Sequence, residues 1–437
     1  MEKLNRRQWL NATAVGISGL SSLDEMALAF DSKAFGEKRS GTPQAGRPRS
    51  KMKISSFKAT LVASPDFALL NSWNVHDTHF TRTILELETA DGYKGVAEVS
   101  GGSLKDLEAT RETVLGRDPF EIEYFRQGIK NPGAFGAVEV ACLDIIGKVI
   151  NRRAVDLIGG AYREAAPYSA YIFFVMPTPD GPDYSTPEAV ARQFVEFNKK
   201  YGFTSCKFKG GVLAPDKEIE ALRIMRASMP QAKLRIDPNA GWGVETSLRV
   251  AKAVESIGME YLEDPTPGLD GMAEVRRQTK IPLATNMVVT RLEHVAPAIQ
   301  KGSIDIVLLD NHYMGGLNNV RYWATICEAL NWGCSGHSNN HLGISMATMT
   351  HMNCAISRVA YHADTHYPWT TQDIIKGPML QFKEGKMSLP EGAGLGIEID
   401  PDKMATLKEN VKRVKNRHDL LRKWDPQYPL DEHKIRW

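Results

Sequence analysis

The stretch that decides the fold is "SCKFKGG", residues 205–211, a short apolar run that carries two lysines and ends in a glycine pair. Lys207 and Lys209 are two residues apart, so on a strand both side chains point to the same face. Two neighbouring ammonium groups repel each other, which leaves two interpretations. A surface edge strand would use them for solubility, whereas an inner strand requires something anionic between them.

Similar short apolar runs recur downstream, each followed by a helical pattern. The polar residues that end them are Lys209, Asp237, Glu263, Asn286, Asp310 and His337. Their spacings of 28, 26, 23, 24 and 27 residues suit one strand–helix unit. With further strands near 168–174 and at "RVAYHADTH", residues 358–366, the pattern predicts an α/β protein with a (β/α) TIM-type barrel. A doubly wound sheet is disfavoured because no G-x-G-x-x-G turn is present.

The regions flanking the barrel have different patterns. Residues 53–165 read as an α+β capping domain, in which 64–82 form a loop free to cover the barrel mouth. The barrel is predicted over 166–385. Residues 386–437, which become charged and helical from about residue 400, are expected to pack back on the capping domain.

The N-terminal segment differs in kind from the rest. Residues 1–30 carry Arg6 and Arg7, a weakly apolar stretch and the pattern Ala27-Leu28-Ala29, which together resemble a twin-arginine export signal. This predicts an exported, periplasmic protein; the alternative is a disordered basic tail on a cytoplasmic one. Residues 31–52 are rich in Gly, Pro, Ser and basic residues and read as a linker.

Composition excludes several classes of protein. Lys and Arg total 54 against 52 Asp and Glu, and a net charge of +2 carries no nucleic-acid signature. The sequence contains no run of eighteen apolar residues, so it predicts no membrane span. The five cysteines are scattered without C-x-x-C spacing, which argues against a zinc module or a disulfide framework.

Asp237, Glu263 and Asn286 end three successive predicted strands, so their side-chain oxygens can converge. Oxygen ligands from separate elements suit Mg²⁺. Alternatively, each side chain only caps the helix that follows it. His337 ends the strand after the one that carries Asp310, and a carboxylate beside an imidazole fixes its tautomer, which makes His337 an acid or base candidate.

The series "KFKGG", "DPNAGW", "EDP", "ATNM", "VLLDNH" and "GHSNNHLGIS" resembles the enolase superfamily, and within it the glucarate dehydratase group, over about residues 53–420. The resemblance implies that Lys209 is the base on one substrate face and that Lys207 supports the substrate carboxylate. It implies Mg²⁺ on Asp237, Glu263 and Asn286, stabilising an enediolate. His337, oriented by Asp310, would protonate the departing hydroxyl on the other face or act as the base for the epimeric substrate.

The implied reaction is loss of water from a small sugar diacid, giving a keto-deoxy diacid. The positions that match substrate contacts in the group are Asn71, His76, Tyr171, Asn239, Ser338, Asn339, His366 and Arg417. Members of this type are often homo-oligomers, and the resemblance extends that expectation to this chain.

Two departures from the group's pattern stand out. The segment after "EDP" is short, so the metal ligand is assigned to Glu263, with Asp270 as a weaker substitute. Gly136 replaces a threonine that contacts substrate in the group, which suggests an altered distal end of the pocket.

Two other functions stay open. A hydroxy-acid epimerase or racemase would use the same Lys209 and His337 on opposite faces. An exported protein that binds sugar acids without converting them would need neither residue.

Overall fold

The computed structural model describes residues 52–179, 181–424 and 437. The predicted export signal, with Arg6, Arg7 and the pattern at 27–29, lies outside the described residues, as does the linker up to residue 51.

The N-terminal part of the described chain is a three-stranded antiparallel sheet flanked by helices. Residues 54–65, 79–89 and 94–100 form its three strands in that spatial order, and Gly92, at a φ of 85°, forms part of the tight turn between the second and third. The strands are β1 (Ile54–Pro65), β2 (Leu69–Leu70), β3 (His79–Thr89) and β4 (Lys94–Ser100). The helices are α1 (Leu104–Glu108), α2 (Arg111–Val114), α3 (Ile122–Gly128), α4 (Pro132–Ile150) and α5 (Ala154–Leu157).

Helix α4 is the central helix of this part and packs on β4. Its start is specified locally, because the Asn131 side chain accepts a hydrogen bond from the Ala134 amide and Pro132 occupies the first turn. The helix is buried over nearly its whole length. At Gly136, a Cβ would lie 2.8 Å from the backbone of both Asn311 and Gly316, so a side chain there would clash. The glycine therefore has a packing reason that is independent of substrate.

Eight parallel strands form a nearly closed barrel, as predicted. Their order is β12-β11-β10-β9-β8-β7-β5-β13, and a single bridge from Cys334 to Val359 joins β12 to the segment before β13. The strands of this part are β5 (Ala165–Ile172), β6 (Phe174–Val175), β7 (Ser205–Lys209), β8 (Lys233–Asp237), β9 (Tyr261–Glu263), β10 (Leu283–Thr285), β11 (Ile306–Leu309), β12 (Gly333–Gly336), β13 (Ala363–Thr365) and β14 (Lys386–Ser388).

Helices alternate with these strands, and their ends carry the expected signals. Helix α6, for example, has Thr186 as its N-cap and ends at Gly202 in the left-handed region. The helices are α6 (Pro187–Tyr201), α7 (Pro215–Ser228), α8 (Val244–Val254), α9 (Gly268–Gln278), α10 (Val295–Lys301), α11 (Gly316–Ala329), α12 (Gly343–Ala355), α13 (Pro401–Asn410) and α14 (Arg417–Trp424). Among the helices of the described residues, none has the length and apolar character needed to cross a membrane.

Strand β7 is an inner strand with neighbours on both sides. It pairs with β5 and with β8, and all five of its residues are buried. The interpretation of its lysines as a soluble edge is therefore wrong. The register sets Lys209 beside Asp237 on β8, which brings an ammonium and a carboxylate together at the carboxyl end of the barrel.

The segment 64–82 is not the free loop that the sequence predicted. Strand β1 continues to Pro65, and Leu69–Leu70 pair antiparallel with Phe174–Val175 at the barrel mouth. Both leucines are buried. Main-chain hydrogen bonds and apolar burial thus anchor the segment, hereafter the lid segment, to the barrel.

The C-terminal part contacts both halves of the described chain. Helix α13 packs on β1, and the Asn410 side chain donates a 3.2 Å hydrogen bond to the carbonyl of Ala63. Strand β14, however, pairs with residues 165–167 of β5, a barrel strand. Residues 386–388 therefore extend the barrel sheet rather than the capping sheet.

Candidate active site

Lys207 is fully buried among three carboxylates at the carboxyl ends of the barrel strands. Its Nζ lies 2.6 Å from Asp364 Oδ2, 2.8 Å from Glu263 Oε1 and 3.6 Å from Asp237 Oδ2. Burial works to lower the pKa of Lys207, but the charges of Asp364 and Glu263 outweigh it and raise the pKa well above its usual value. Lys207 is thus a permanent cation inside the acidic cluster.

Lys209 points toward the cavity from the end of the same strand. Its Nζ lies 2.5 Å from Asp237 Oδ2 and 3.1 Å from Asn239 Oδ1. The repulsion between the two lysines is therefore offset by the protein's own carboxylates, and Lys209 remains within reach of the space above the barrel.

Asp237, Glu263 and Asn286 lie at the ends of β8, β9 and β10, as predicted. Glu263 Oε2 and Asn286 Oδ1 are buried and have no hydrogen-bond partner among the described residues. Unsatisfied buried oxygens are costly, and a cation between them would satisfy both. The three side chains therefore fit a hard divalent ion.

The pKa values of the two carboxyl groups in this cluster, Glu263 and Asp237, are shifted in opposite directions. Burial, and then the charge of Asp237, raise the pKa of Glu263 well above its usual value. For Asp237, burial also acts to raise the pKa, but Lys209 and Lys207 outweigh it and the pKa is lowered. A divalent cation would favour the ionised form of both carboxyls.

Asp270 does not join this cluster, which corrects its place as a weaker substitute ligand. It lies in the first turn of α9 with its side chain 86% exposed and pairs with Lys301. Asp264 instead lies beside the site. Its carboxylate accepts hydrogen bonds from the Thr285 hydroxyl at 2.5 Å and from the backbone N–H of Asn286 at 2.9 Å. Asp264 thus positions Asn286.

His337 and Asp310 form the predicted pair. His337 Nδ1 lies 2.8 Å from Asp310 Oδ2, and its Nε2 lies 2.9 Å from Asn286 Nδ2. Because a carboxylate only accepts, Nδ1 carries the hydrogen and the lone pair of Nε2 faces the Asn286 amide. Burial lowers the pKa of His337, and the Asp310 carboxylate only partly opposes this shift.

A cavity of about 670 Å³ opens above these residues. It brings together most of the predicted site residues, namely Asn71, His76, Tyr171, Lys209, Asn239, Asn286, His337, Ser338, Asn339 and His366. Tyr171 donates a 2.5 Å hydrogen bond to the Ser338 carbonyl, and Asn339 donates one to the Tyr313 hydroxyl. The lid segment, through Asn71, Trp73 and His76, forms one wall.

Arg417 lies behind this wall. It is buried, and its guanidinium donates a 2.6 Å hydrogen bond to the carbonyl of Asp66 in the lid segment. Its backbone amide donates to the Asp77 carboxylate at 3.1 Å. In this structure Arg417 therefore holds the lid segment.

Sequence reasoning missed three buried or partly buried groups at the site. Asp364 binds Lys207 and also Arg235, whose Nη1 lies 3.2 Å from Asp364 Oδ1. His312 shares Asp310 with His337, its Nδ1 lying 3.0 Å from Asp310 Oδ1. Asp66 accepts from His76 Nδ1 at 2.9 Å. The polar residues inside "HADTH" and "LLDNH" were available signals for Asp364 and His312, whereas Asp66 had none.

Comparison with known proteins identifies the family. The family described as Enolase C-terminal domain-like matches residues 189–403. A probable glucarate dehydratase from Streptomyces coelicolor is 37% identical over 395 residues, covering 82% of this chain and 91% of that protein. The chain belongs to the enolase superfamily. The resemblance read from the motifs is thereby confirmed at the level of the superfamily, whose members are enzymes.

Solved structures agree with this assignment. An enolase from Mycobacterium smegmatis, in complex with formate and acetate, has a TM-score of 0.84 and 36% identity, covering 90% of this chain and all of the other. An enolase from Thermobispora bispora, in complex with magnesium and formate, has a TM-score of 0.81 and 37% identity, covering 87% and 99% of the two chains. The predicted superfamily barrel with an N-terminal α+β region is confirmed.

Proposed function

We propose that this enolase-superfamily protein is a Mg²⁺-dependent dehydratase of a sugar diacid of the glucarate type. One observation carries the proposal: Lys209 and His337 line the same cavity, and the three candidate ligands lie between them in the strand order. A group that takes a proton and a group that gives one thus both have access to a single bound molecule.

Asp237, Glu263 and Asn286 would hold the Mg²⁺ through their oxygens. When bound, the ion supplies positive charge beside the substrate carboxylate, which favours loss of the neighbouring proton. The two orphaned oxygens, Glu263 Oε2 and Asn286 Oδ1, support this assignment.

The protein's own groups then move the protons. Lys209 Nζ, as the neutral amine, takes the proton from the carbon next to the carboxylate and becomes an ammonium beside Asp237. His337 acts in its doubly protonated form, whose charge the Asp310 carboxylate at Nδ1 stabilises. It delivers the Nε2 proton to the departing hydroxyl, which leaves as water, and the ring returns to the neutral form with its hydrogen on Nδ1. The resulting enol becomes the keto-deoxy diacid when its O–H proton is lost and the neighbouring carbon gains a proton. Lys209 then releases its proton to solvent, and His337 takes one from solvent.

The remaining polar groups of the cavity would bind the distal part of the diacid. They are Asn71, His76, Tyr171, Asn239, Ser338, Asn339 and His366. Arg417, predicted to contact the substrate, is not among the described residues that line the cavity; it would act on the substrate only indirectly, by holding the lid segment through the Asp66 carbonyl.

The test is a substrate screen of the chain lacking residues 1–52 against aldonic and aldaric acids with Mg²⁺. Keto-acid product is detected with semicarbazide. The proposal expects product from a hexarate such as glucarate, idarate or galactarate, and loss of that product with EDTA. No keto acid from any diacid, with metal bound, would contradict it.

The same pair of groups also favours an epimerase or racemase, because such an enzyme needs an acid/base group on each face of the substrate. The product separates the two functions: dehydration lowers the substrate mass by one water, and epimerisation leaves it unchanged. A protein that only binds sugar acids would return its ligand unaltered.

We also propose export by the twin-arginine route, on the strength of Arg6, Arg7 and the pattern at 27–29. Cell fractionation of the full chain tests it. The proposal expects the wild-type protein in the periplasm. It expects the double variant, Arg6→Lys with Arg7→Lys, to be retained in the cytoplasm. Equal distribution of both forms would contradict it.

A further inference from the structure

Asp66, His76 and His366 form a second cluster of potential ligands, hereafter the lid cluster. One ligand atom from each residue lies within 4.8 Å of the others. Asp66 and His76 belong to the lid segment, whereas His366 directly follows β13. The cluster therefore joins the lid segment to the barrel.

Within this cluster Asp66 and His76 are hydrogen-bonded to each other, whereas the ring of His366 has no such partner in the part of the chain that the structure describes. Its side chain is 1% exposed, and both ring nitrogens are without a hydrogen-bond partner among the described residues. Nε2 faces Asp66 Oδ1 at 3.8 Å, too far for a hydrogen bond. Burial also lowers the pKa of His366 to about 4, so the ring is neutral and presents a lone pair. A buried imidazole with two idle nitrogens costs stability that a ligand would restore.

The chemistry of these donors differs from that of the Mg²⁺ ligands. Asp237, Glu263 and Asn286 offer oxygen only, whereas the lid cluster offers two imidazole nitrogens and one carboxylate. Imidazoles with a carboxylate suit Zn²⁺ and similar borderline ions, and three protein ligands leave a position open. Mg²⁺ prefers oxygen donors and would not compete well here.

We propose that the lid cluster is a second metal site, which binds a divalent transition metal of the Zn²⁺ class. Bonds of about 2.0–2.1 Å place tetrahedral ligand atoms roughly 3.3 Å apart, so binding contracts the cluster and draws His366 toward Asp66. The ion replaces the hydrogen bond between Asp66 and His76 with two metal bonds. It thereby fastens the lid segment to the end of β13.

His76 and His366 both line the cavity, so the ion would occupy space needed by a substrate. This consequence rests on the proposed function and makes Zn²⁺ an inhibitor that competes with the diacid. Metal binding itself does not depend on which acid the enzyme converts.

The test is titration of the full chain with Co²⁺ in a large excess of Mg²⁺, without substrate. Visible absorption reports Co²⁺ bound to nitrogen ligands, and equilibrium dialysis counts the ions. We expect one Co²⁺ per chain in addition to the bound Mg²⁺, displaceable by Zn²⁺. His366→Gln removes one ligand and is expected to weaken Co²⁺ binding at least about 10-fold. In other metal sites, even removal of a group that only hydrogen-bonds to a ligand has an effect of this size.

His362→Gln is the matched control. His362 precedes β13 and also has an unpartnered ring nitrogen, Nδ1, but it belongs to no such cluster in the described part of the chain. The His362→Gln variant should bind Co²⁺ with the same affinity as the wild type. His76→Gln provides a second ligand variant at a side chain that is 17% exposed, and circular dichroism checks that it folds like the wild type.

Absence of a Co²⁺ equivalent beyond the Mg²⁺ site in the wild type would overturn the proposal. So would unchanged Co²⁺ affinity in both ligand variants, or Co²⁺ that binds only by displacing Mg²⁺. Because no turnover is measured, failure of this test is distinguishable from failure of the dehydratase proposal.

Discussion

Lys207 and Lys209 are separated by one residue, yet their side chains have different surroundings. Lys207 is enclosed by Asp364, Glu263 and Asp237, whereas Lys209 reaches the cavity. A buried charge whose partner is removed costs far more than an exposed one. Lys207 is thus placed to neutralise the buried carboxylates, and its predicted support of the substrate carboxylate stays a prediction, whereas Lys209 is available for chemistry.

Lys207→Met is expected to destabilise the protein by about 3–5 kcal/mol, because it leaves the buried Glu263 without its cation. It also leaves Asp237 with Lys209 alone and Asp364 with Arg235 alone among the described residues. Urea unfolding in the presence of EDTA measures the loss. Lys217→Met is the control, since Lys217 forms a solvent-exposed pair with Glu220 and its loss should leave the free energy of unfolding nearly unchanged. Equal effects of the two substitutions would contradict the interpretation.

His337→Asn is expected to lower the rate of dehydration by about 10²–10⁴-fold, because it removes the proton donor for the departing hydroxyl. The proton taken by Lys209 should still exchange, so the variant incorporates deuterium from D₂O into unreacted substrate. Mass spectrometry of substrate and product measures both. Lys209→Ala should lose that exchange, and near-wild-type turnover in both variants would refute the assignment.

At the scale of elements, the packing of α4 against the segment before α11 depends on Gly136. A Cβ there would contact backbone atoms at 2.8 Å, and backbone cannot move aside as a side chain does. Gly136→Ala is therefore expected to cost about 1–3 kcal/mol, measured by urea unfolding. Gly133→Ala in the same helix meets its nearest atoms at 3.4 and 3.5 Å and should cost less. A larger loss from Gly133→Ala would contradict this account.

The barrel strands are the elements whose positions the sequence predicted well. The repeat of polar strand ends located β7 to β12 to within one residue of their carboxyl ends, because alternation of apolar runs with helices is a local signal. The lid segment was misread as free. Its pairing with β6 joins residues about 105 positions apart, and a two-residue strand carries no periodicity of its own.

At the scale of the whole molecule, the tertiary packing around His351 makes the free energy of unfolding depend on pH in the acid range. Its Nδ1 accepts from the Val155 amide and its Nε2 donates to the Leu395 carbonyl, both at 3.2 Å, so α12, α5 and the C-terminal part meet at one ring. Burial lowers the pKa of His351 to about 4, well below the ordinary value of 6.5. A proton on Nδ1 would also face the Val155 N–H, which reinforces the neutral form.

Between these two pKa values the unfolded chain binds a proton at this position and the folded chain does not, so stability falls as the pH drops from about 6.5 to 4. At about 1.4 kcal/mol per unit, the contribution of His351 amounts to roughly 3 kcal/mol. His351→Gln should flatten the dependence of unfolding free energy on pH over this range. An unchanged difference between pH 7 and pH 4.5 would contradict it.

The sequence by itself determined the barrel, the inward lysines' need for an anion, the strand ends that carry the three candidate ligands, and the pair of His337 with Asp310. Each of these depends on residue type and spacing along a repeat, which are local properties. Tertiary structure alone decided that Asp364 neutralises Lys207, that Asp270 lies on the outside and that the lid segment is anchored. It also brought Asp66 and His76 to His366. Lys207 and Asp364, the lid segment and β6, and Asp66 and His366 lie about 100 to 300 positions apart in sequence. No local pattern encodes which distant side chain fills a given space.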